Sequence, residues 1–293
     1  MNTNKKYHEI NHYKDSSFPV EIYQVNRYGM LPTGRWLRDY HWHDELQFTF
    51  VTNGSITIQV GNKQYCLQKG EGIYISSGLI HAVIEMSDDG TYSSLNFPWR
   101  ILSFFPGSRM EQDFVLPYAT KGKLSAVLLK SDLPWQQEIL SQLFKLDYLF
   151  ATHKLKRNEY SICVILVDLW KTLIEHASSE LEYSPINFTR QQRLQDMLTY
   201  IYENYSEDIK LKEIAATAYI STGECCRIFR NYLQTTPHAF LKQYRIQKSL
   251  EYLHSGYSVS ETAKAVGYHQ TSNFISTFKQ IMGCTPAKYY RQK

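Results

Sequence analysis

The sequence predicts an α+β protein of two domains, in which an N-terminal β-barrel and two following helices precede an all-α C-terminal domain. Three observations support this fold class. Short segments of alternating hydrophobicity run from about 18 to 105, helical periodicity begins after Leu133, and the last third contains an internal repeat. A chain of 293 residues is long enough for two domains that each bury a core.

The composition is that of an ordinary globular protein, with 43% hydrophobic and 20% charged residues. No apolar run approaches the roughly 20 residues that span a bilayer, and the first eight residues lack the apolar core of a secretory signal. We therefore expect a cytoplasmic protein without membrane contact. The five cysteines show no paired C-x-x-C spacing, so neither a disulfide framework nor a zinc finger is indicated.

The N-terminal domain, 1–177, is predicted to begin with short strands separated by turn signals such as Asn53-Gly54 and Gly61-Asn62. Many short strands at close spacing are typical of a β-sandwich or small barrel. The clearest strands are Val20–Val25, Leu46–Val51, Ser55–Val60 and Gly72–Ile75.

Two amphipathic helices are predicted around Trp135–Phe150 and Asn158–Ala177, where apolar residues recur with helical spacing. These helices could cover the barrel or pair two subunits. The following segment, 178–187, lacks periodicity and contains serine and proline, so it is predicted to be a linker.

The C-terminal domain, 188–293, differs from the rest of the chain in charge. From Asn187 onwards there are 14 Lys and Arg against 8 Asp and Glu, whereas the preceding residues hold 18 against 20. A basic domain beside a nearly neutral one suggests a polyanionic partner.

The internal repeat relates Leu211–Pro237 to Val259–Pro286. Each copy combines a short helix bearing a small alanine, a tight turn and a second helix with an inward phenylalanine. One additional residue lies in the second turn, and a long helix over Pro237–Leu253 joins the copies. The small residue lets two helices cross closely, as in a helix-turn-helix, which places its second helix in the DNA major groove.

From about Gln191 to Tyr290 the chain closely resembles the C-terminal domain of the AraC/XylS family of transcription regulators. The most specific motifs are Ala263-x-x-Val-Gly-Tyr, Asn273-Phe-x-x-x-Phe-Lys and Gly283-x-Thr-Pro-x-x-Tyr-Tyr-Arg. The resemblance implies a sequence-specific regulator that binds double-stranded promoter DNA and is not an enzyme. It also implies activation as the commoner outcome, RNA polymerase as a possible partner, and a homodimer formed through helices in 135–177.

By the same resemblance, the second helix of each unit reads bases. Arg227 suits guanine, while Gln270 or Asn273 suits adenine. The family often has arginine at the position of Ser276, so the second helix-turn-helix is expected to depend more on the side-chain amides of Gln270 and Asn273. The family also often has glycine at the position of Tyr219, so the backbone of Tyr219 is expected to be strained. The candidate base readers are Thr222, Gly223, Cys226, Arg227, Gln270, Thr271, Ser272, Asn273 and Ser276; Lys242, Lys279 and Arg291 are candidates for phosphate contacts.

The N-terminal domain resembles a cupin through His41-x-His43-x-x-x-Gln47, Gly70-x-Gly and His81. Metal-binding cupins have a glutamate where this chain has Gln47, and a neutral amide offsets little of the cost of desolvating a metal ion. Three interpretations of the histidines remain open: structural packing, an organic effector, or a metal. Effector binding ranks first and metal binding last, so no cofactor, metal ligand or catalytic residue is predicted.

The expected effector is a small molecule, most simply a sugar, because aromatic faces and polar groups together suit a pyranose ring. The candidate effector-binding residues are Trp36, Arg38, His41, His43, Gln47, Tyr74, His81 and Trp99. Two rival functions are a metal-dependent cupin enzyme, which the missing carboxylate disfavours, and an architectural DNA binder without base preference, which the outward polar residues disfavour.

Overall fold

The computed structural model describes residues 11, 13–26, 29–30, 39–120, 124–152, 158–177 and 185–291. The chain divides into two compact units, 1–191 and 192–293, and each is described by itself.

Antiparallel strands build the first unit. One sheet has six strands in the order β2-β1-β8-β3-β6-β9, and the other has three in the order β5-β4-β7. The strands are β1 Glu21–Asn26, β2 Gly29–Met30, β3 Glu45–Asn53, β4 Ser55–Val60, β5 Lys63–Gln68, β6 Gly72–Ile75, β7 His81–Met86, β8 Thr91–Pro98 and β9 Ala126–Leu129. The predicted cupin-like β domain is confirmed, as two facing sheets that share a core.

Strand β3 shows how the six-stranded sheet is buried on both faces. Its side chains alternate, since successive residues of a strand point to opposite faces. Leu46, Phe48 and Phe50 are fully buried in a cluster with the helices, whereas Val51 packs with Ile56 of the smaller sheet. Gln47 and Thr49, which alternate with these three residues, therefore face the space between the sheets.

Among the described residues up to Ala177, three helices and two irregular turns accompany these strands. They are a 3-10 turn over Trp99–Ser103, a π-helical turn over Met110–Val115, α1 Leu116–Ala119, α2 Pro134–Ala151 and α3 Glu159–Ala177. The apolar stripes that predict α2 and α3 pack on the sheet, with Leu143 and Leu169 fully buried. The apolar stripes of α2 and α3 therefore cover the sheet. A contact between two subunits would have to use the outer faces of these helices.

The second unit is helical, as predicted. Helix α4 Pro185–Asn204 begins before the boundary at residue 192 and continues into this unit. The helices that follow are α5 Leu211–Thr217, α6 Thr222–Leu233, α7 Pro237–His254, α8 Val259–Ala265, α9 Thr271–Met282 and α10 Pro286–Arg291. Most of the predicted linker lies outside the described residues, but 185–187 belong to α4, because proline suits the first turn of a helix. No helix among the described residues is long and apolar enough to span a membrane.

Helix α7 supplies core residues to both copies of the repeat. Near its start, the Phe240 ring lies 5.9 Å from Phe229 of α6. Towards its end, Ile246 and Leu250 share a buried cluster with Phe278 of α9. The repeat therefore folds as two helix-turn-helix units that share one helix as a common core.

The two equivalent turns differ by one residue, because four residues separate α5 from α6 and five separate α8 from α9. Both turns need a left-handed residue: Tyr219 has φ 54° and Gly267 has φ 82°. Tyr219 is 96% exposed, so the ring makes little packing contact. A Cβ on Gly267 would lie 2.6 Å from the Ser206 carbonyl oxygen, so this turn admits only glycine.

Opposite substitutions in the two turns should have opposite effects on stability. We expect Tyr219→Gly to raise the free energy of unfolding by about 0.5 kcal/mol, because relief of the left-handed strain exceeds the added flexibility of the unfolded chain. Gly267→Ala should lower it by about 2 kcal/mol or more, because strain and a backbone clash combine.

Denaturant unfolding followed by far-ultraviolet circular dichroism measures both changes. Tryptophan fluorescence is the internal control, since all five tryptophans lie in the first unit and should report an unchanged transition. Equal effects of the two substitutions would contradict this account of the turns.

Candidate DNA-binding surface and barrel cavity

The second helix of each helix-turn-helix buries one face and exposes the other. In α6 the buried side carries Cys225 and Phe229, and in α9 it carries Phe274 and Phe278. All nine candidate base readers lie on the outer sides: Gly223, Arg227, Gln270, Ser272, Asn273 and Ser276 are exposed, and Thr222, Cys226 and Thr271 are partly exposed.

Arg227 is held by its neighbour Glu224 on the same helix. The guanidinium donates from Nε to one carboxylate oxygen and from Nη2 to the other, both at 2.7 Å. Hydrogen bonding to Glu224 raises the pKa of Arg227. Because a guanidinium has five N–H groups, this pairing leaves the Nη1 end free for a bidentate contact with another acceptor.

The start of α9 carries polar groups in place of an arginine. Gln270 is the N-cap residue of α9, but its side chain makes no capping hydrogen bond to the backbone. Instead, Asn273 Nδ2 donates to Gln270 Oε1 at 3.3 Å. Ser276 occupies the position equivalent to Arg227 and offers only a hydroxyl. The two recognition helices therefore present different chemistry.

Arg245 of α7 connects the two helix-turn-helix motifs within the second unit. Its Nε donates to the Tyr205 carbonyl oxygen at 2.6 Å and its Nη2 to that of Glu207 at 2.7 Å. Its guanidinium also lies 5.6 Å from the ring centre of Tyr268 in the second turn. Sequence reasoning missed this residue, whose role depends on contacts about 40 residues apart.

The candidate phosphate contacts are partly placed by the structure. Lys242 and Lys279 are exposed, as a phosphate contact requires. The Arg291 side chain lies outside the described residues.

In the first unit, three histidines meet at one end of the space between the sheets. His41 and His81 form a backbone bridge, and His43 and His81 are buried. The ring centres of His41 and His81 lie 4.3 Å apart, and those of His43 and His81 lie 5.2 Å apart. The fold thus brings His81 beside His41 and His43, although His41 and His81 are 40 residues apart in the sequence.

Backbone carbonyl groups orient all three imidazoles. The Nδ1 atoms of His41 and His81 each lie 2.8 Å from a carbonyl oxygen, and that of His43 lies 3.2 Å from one. Because a carbonyl oxygen only accepts, Nδ1 is the donor and a neutral ring carries its lone pair on Nε2.

The Gln47 amide lies between two of these rings. Its Oε1 is 2.8 Å from His43 Nε2 and 3.2 Å from His81 Nε2, and its Nε2 donates to Thr49 Oγ1 at 2.7 Å. With neutral rings, the network is fully paired when the amide turns its NH2 group towards the imidazoles and its oxygen towards the threonine hydroxyl.

The histidine cluster satisfies part of what a transition metal requires. One nitrogen from each ring lies within 4.8 Å of the others, and the carbonyl contacts resemble those that orient metal-bound histidines. Among the described residues no carboxylate completes the set: Glu45 accepts from Asn11 at 2.8 Å and Tyr13 at 2.9 Å, and its Oε2 lies 3.5 Å from His43 Nδ1. The donor set is three imidazoles and one neutral amide.

The cavity beside this cluster is polar and small. Its described walls enclose a volume of about 40 Å³, enough for a few water molecules. Sequence reasoning missed eight of its wall residues, five of which carry polar groups: Tyr23, Thr49, Tyr92, Ser94 and Asn96. The alternation of Tyr92, Ser94 and Asn96 with buried Leu95 and Phe97 along β8 is the signal that could have found three of them.

Two expected effector residues lie elsewhere. Tyr74 is fully buried on the opposite face of the sheet, where its ring lies 6.0 Å from Trp170 of α3. Trp99 packs on the same helix-covered core, beneath the guanidinium of Arg100. The expectation that Tyr74 and Trp99 line the barrel was wrong, because both side chains serve the core outside it. Trp36 and Arg38 lie outside the described residues.

Comparison with known proteins agrees with both halves of this architecture. A helix-turn-helix domain family matches residues 214–292, and a cupin domain family matches residues 28–92. An uncharacterized HTH-type transcriptional regulator of Bacillus subtilis, YdeC, is 33% identical over 288 residues, which cover 96% of this chain and 94% of the relative. The chain belongs to the AraC/XylS family of transcription regulators.

Two further matches have lower sequence identity. The melibiose operon regulatory protein of Escherichia coli is 21% identical over 261 residues, covering 85% of this chain and 82% of that protein. The structure of unsaturated fatty acid-bound ToxT from Vibrio cholerae matches 96% of this chain and 97% of its own, with a TM-score of 0.46 and 13% identity. As an AraC/XylS-family member, the protein is a DNA-binding transcription regulator and not an enzyme.

Proposed function

We propose that this regulator recognises two DNA boxes in direct repeat, one for each recognition helix, and responds to a sugar bound between the sheets. The pair of helix-turn-helix units on the shared helix α7 carries the first part of the proposal. One rigid frame would place the two helices in successive major grooves, about 34 Å apart.

Arg227 and the amides of α9 are the proposed base readers. The Nη1 end of Arg227 would meet the O6 and N7 of a guanine, while Glu224 restrains the guanidinium and so reduces the entropy lost on binding. Gln270 and Asn273 would exchange their mutual hydrogen bond for contacts with an adenine. The remaining candidates on both helices would contact bases or the adjacent sugar-phosphate backbone of the DNA.

We propose that the sugar binds beside the histidine cluster. The walls offer hydroxyl, amide and imidazole groups with two tyrosine rings, which suit a polyhydroxylated ligand. The distant relative named for the melibiose operon is consistent with this ligand class.

A sugar ring does not fit the observed cavity without movement of its walls. Such a ligand would therefore bind a more open arrangement preferentially, and an effector needs this difference in affinity to shift a conformational equilibrium. Activation of transcription in the cytoplasm, through contact with RNA polymerase, is the outcome we expect from family membership.

Replacement of Arg227 should change sequence preference as well as affinity. We expect Arg227→Ala to weaken binding to the selected operator by about 1–3 kcal/mol and to relax the preference at one base pair. Selection of bound genomic fragments, followed by binding titrations at fixed salt, measures both quantities.

Arg230→Ala is the matched control, since Arg230 is exposed on the same helix but outside the candidate set. Uniform weakening across all sequences by Arg227→Ala would indicate a phosphate contact and contradict base reading.

Adjacent serines of β8 provide a test of the sugar site. Ser94 lines the cavity, whereas Ser93 faces the other way and donates to Asp147 at 2.9 Å. With a sugar identified by calorimetric titration of a mono- and disaccharide panel, Ser94→Ala should weaken binding by about three- to tenfold, the value of one hydrogen bond. Ser93→Ala should leave sugar affinity unchanged.

A panel without any binding sugar would contradict this ligand class. The same preparations should be analysed for zinc, iron and manganese, because three converging imidazoles also favour a divalent metal. One equivalent of metal that is lost in His81→Gln would identify the cluster as a metal site instead.

We also propose a homodimer through the outer face of α3. Tyr160 and Val164, one turn apart, are 89% and 66% exposed. Large exposed apolar side chains on one helical face favour burial against another chain.

Val164→Asp should convert dimers to monomers in light scattering, because it places a charge in the contact without touching the core. Leu133→Asp, on another exposed apolar residue of the same unit, should leave the mass unchanged. A mass that Val164→Asp leaves unchanged would count against this interface.

A further inference from the structure

A second cavity of the first unit lies outside the barrel, between α3 and the segment 102–118. Its volume is about 580 Å³, compared with about 40 Å³ for the barrel cavity. Pockets that hold small molecules are commonly about 300–1,000 Å³. This space can therefore receive a small organic molecule without movement of its walls.

Its walls are apolar on both sides. Val167, Trp170 and Ile174 follow one face of α3, and Phe104 and Phe114 lie on the facing segment. Phe104 is 67% exposed and Phe114 is 46% exposed. Apolar side chains left exposed around a concave surface mark a ligand-binding site.

The walls are held in place before any ligand binds. The Trp170 indole N–H donates to the Phe114 carbonyl oxygen at 3.0 Å and so joins the two sides of the cavity. The facing segment contains a π-helical turn, and Phe104 has φ 61°, a strained conformation for a bulky residue. Both features concentrate at functional sites.

The charge at this cavity favours an anion. Lys171 lies among the wall residues, and no described carboxylate forms an ion pair with it. Glu175 also lines the cavity, but it has an interaction of its own. An anionic group could form an ion pair with Lys171, whereas a cationic group would have to compete for Glu175 with the interaction that Glu175 already makes.

We propose that this cavity binds an apolar small molecule carrying one anionic group, with its apolar body beside Trp170 and Phe114 and its anion at Lys171. The site is distinct from the proposed sugar site and goes beyond it. It lies on α3, the helix whose outer face carries Tyr160 and Val164.

The test uses two probes of the same shape, 1-naphthoate and neutral 1-naphthamide, titrated calorimetrically into the full chain. We expect one naphthoate per chain, bound about two- to fivefold more tightly than the amide, because the carboxylate pairs with the exposed Lys171. In Lys171→Gln this preference should disappear through a loss of naphthoate affinity alone. Lys145→Gln, on an exposed lysine of α2, should preserve it.

Two further variants locate the bound molecule. Phe114→Ser should weaken both probes, and Met110→Gln, at a 43% exposed wall residue, should do so with less risk to folding. Ser94→Ala in the barrel should leave both affinities unchanged, so failure of the sugar site and failure of this site give different results.

Three results would overturn the proposal: no saturable naphthoate binding, an equal loss of both probes in Lys171→Gln, or conversion of dimers to monomers by Met110→Gln. The last result would show that a second copy of the chain covers this cavity.

Discussion

The first unit depends on burial of both faces of its six-stranded sheet. One face packs against α2 and α3 through Phe48 and Phe50, and the other encloses the cavity that Gln47 and Thr49 line. These four residues alternate along β3, so a shift of one residue in its pairing would exchange the two sets. The same strand register therefore places the helix-covered core and the polar cavity.

The second unit depends in a comparable way on α7. Because the two helix-turn-helix units bury their phenylalanines against different halves of this helix, their recognition helices belong to one packed structure. Arg245 adds a polar connection, since its guanidinium binds two carbonyl groups before α5 and lies beside the turn before α9. DNA recognition by two helices needs such a frame, because flexible units would lose orientational freedom on binding.

The first unit contains two spaces of opposite chemistry. The barrel cavity is small and lined by hydroxyl, amide and imidazole groups, whereas the cavity beside α3 is larger and apolar with a lysine. Helix α3 connects the second space to the outer face that we propose for dimerisation. A ligand in either place regulates DNA binding only if its affinity differs between the conformations that bind and do not bind an operator.

Local patterns in the sequence were sufficient for the fold class, the two long helices and the repeated helix-turn-helix, because helical and strand periods repeat over neighbouring residues. The family resemblance also placed Arg227 on the outward face of its helix and predicted strain at Tyr219, which the structure shows with φ 54°. Local patterns could not assign Tyr74, because β6 is apolar on both faces and only the packing of α3 shows which face lies outside the barrel. The cavity beside α3 was equally inaccessible, since its irregular wall has no repeating period and its opposite sides come from segments that only tertiary packing brings together.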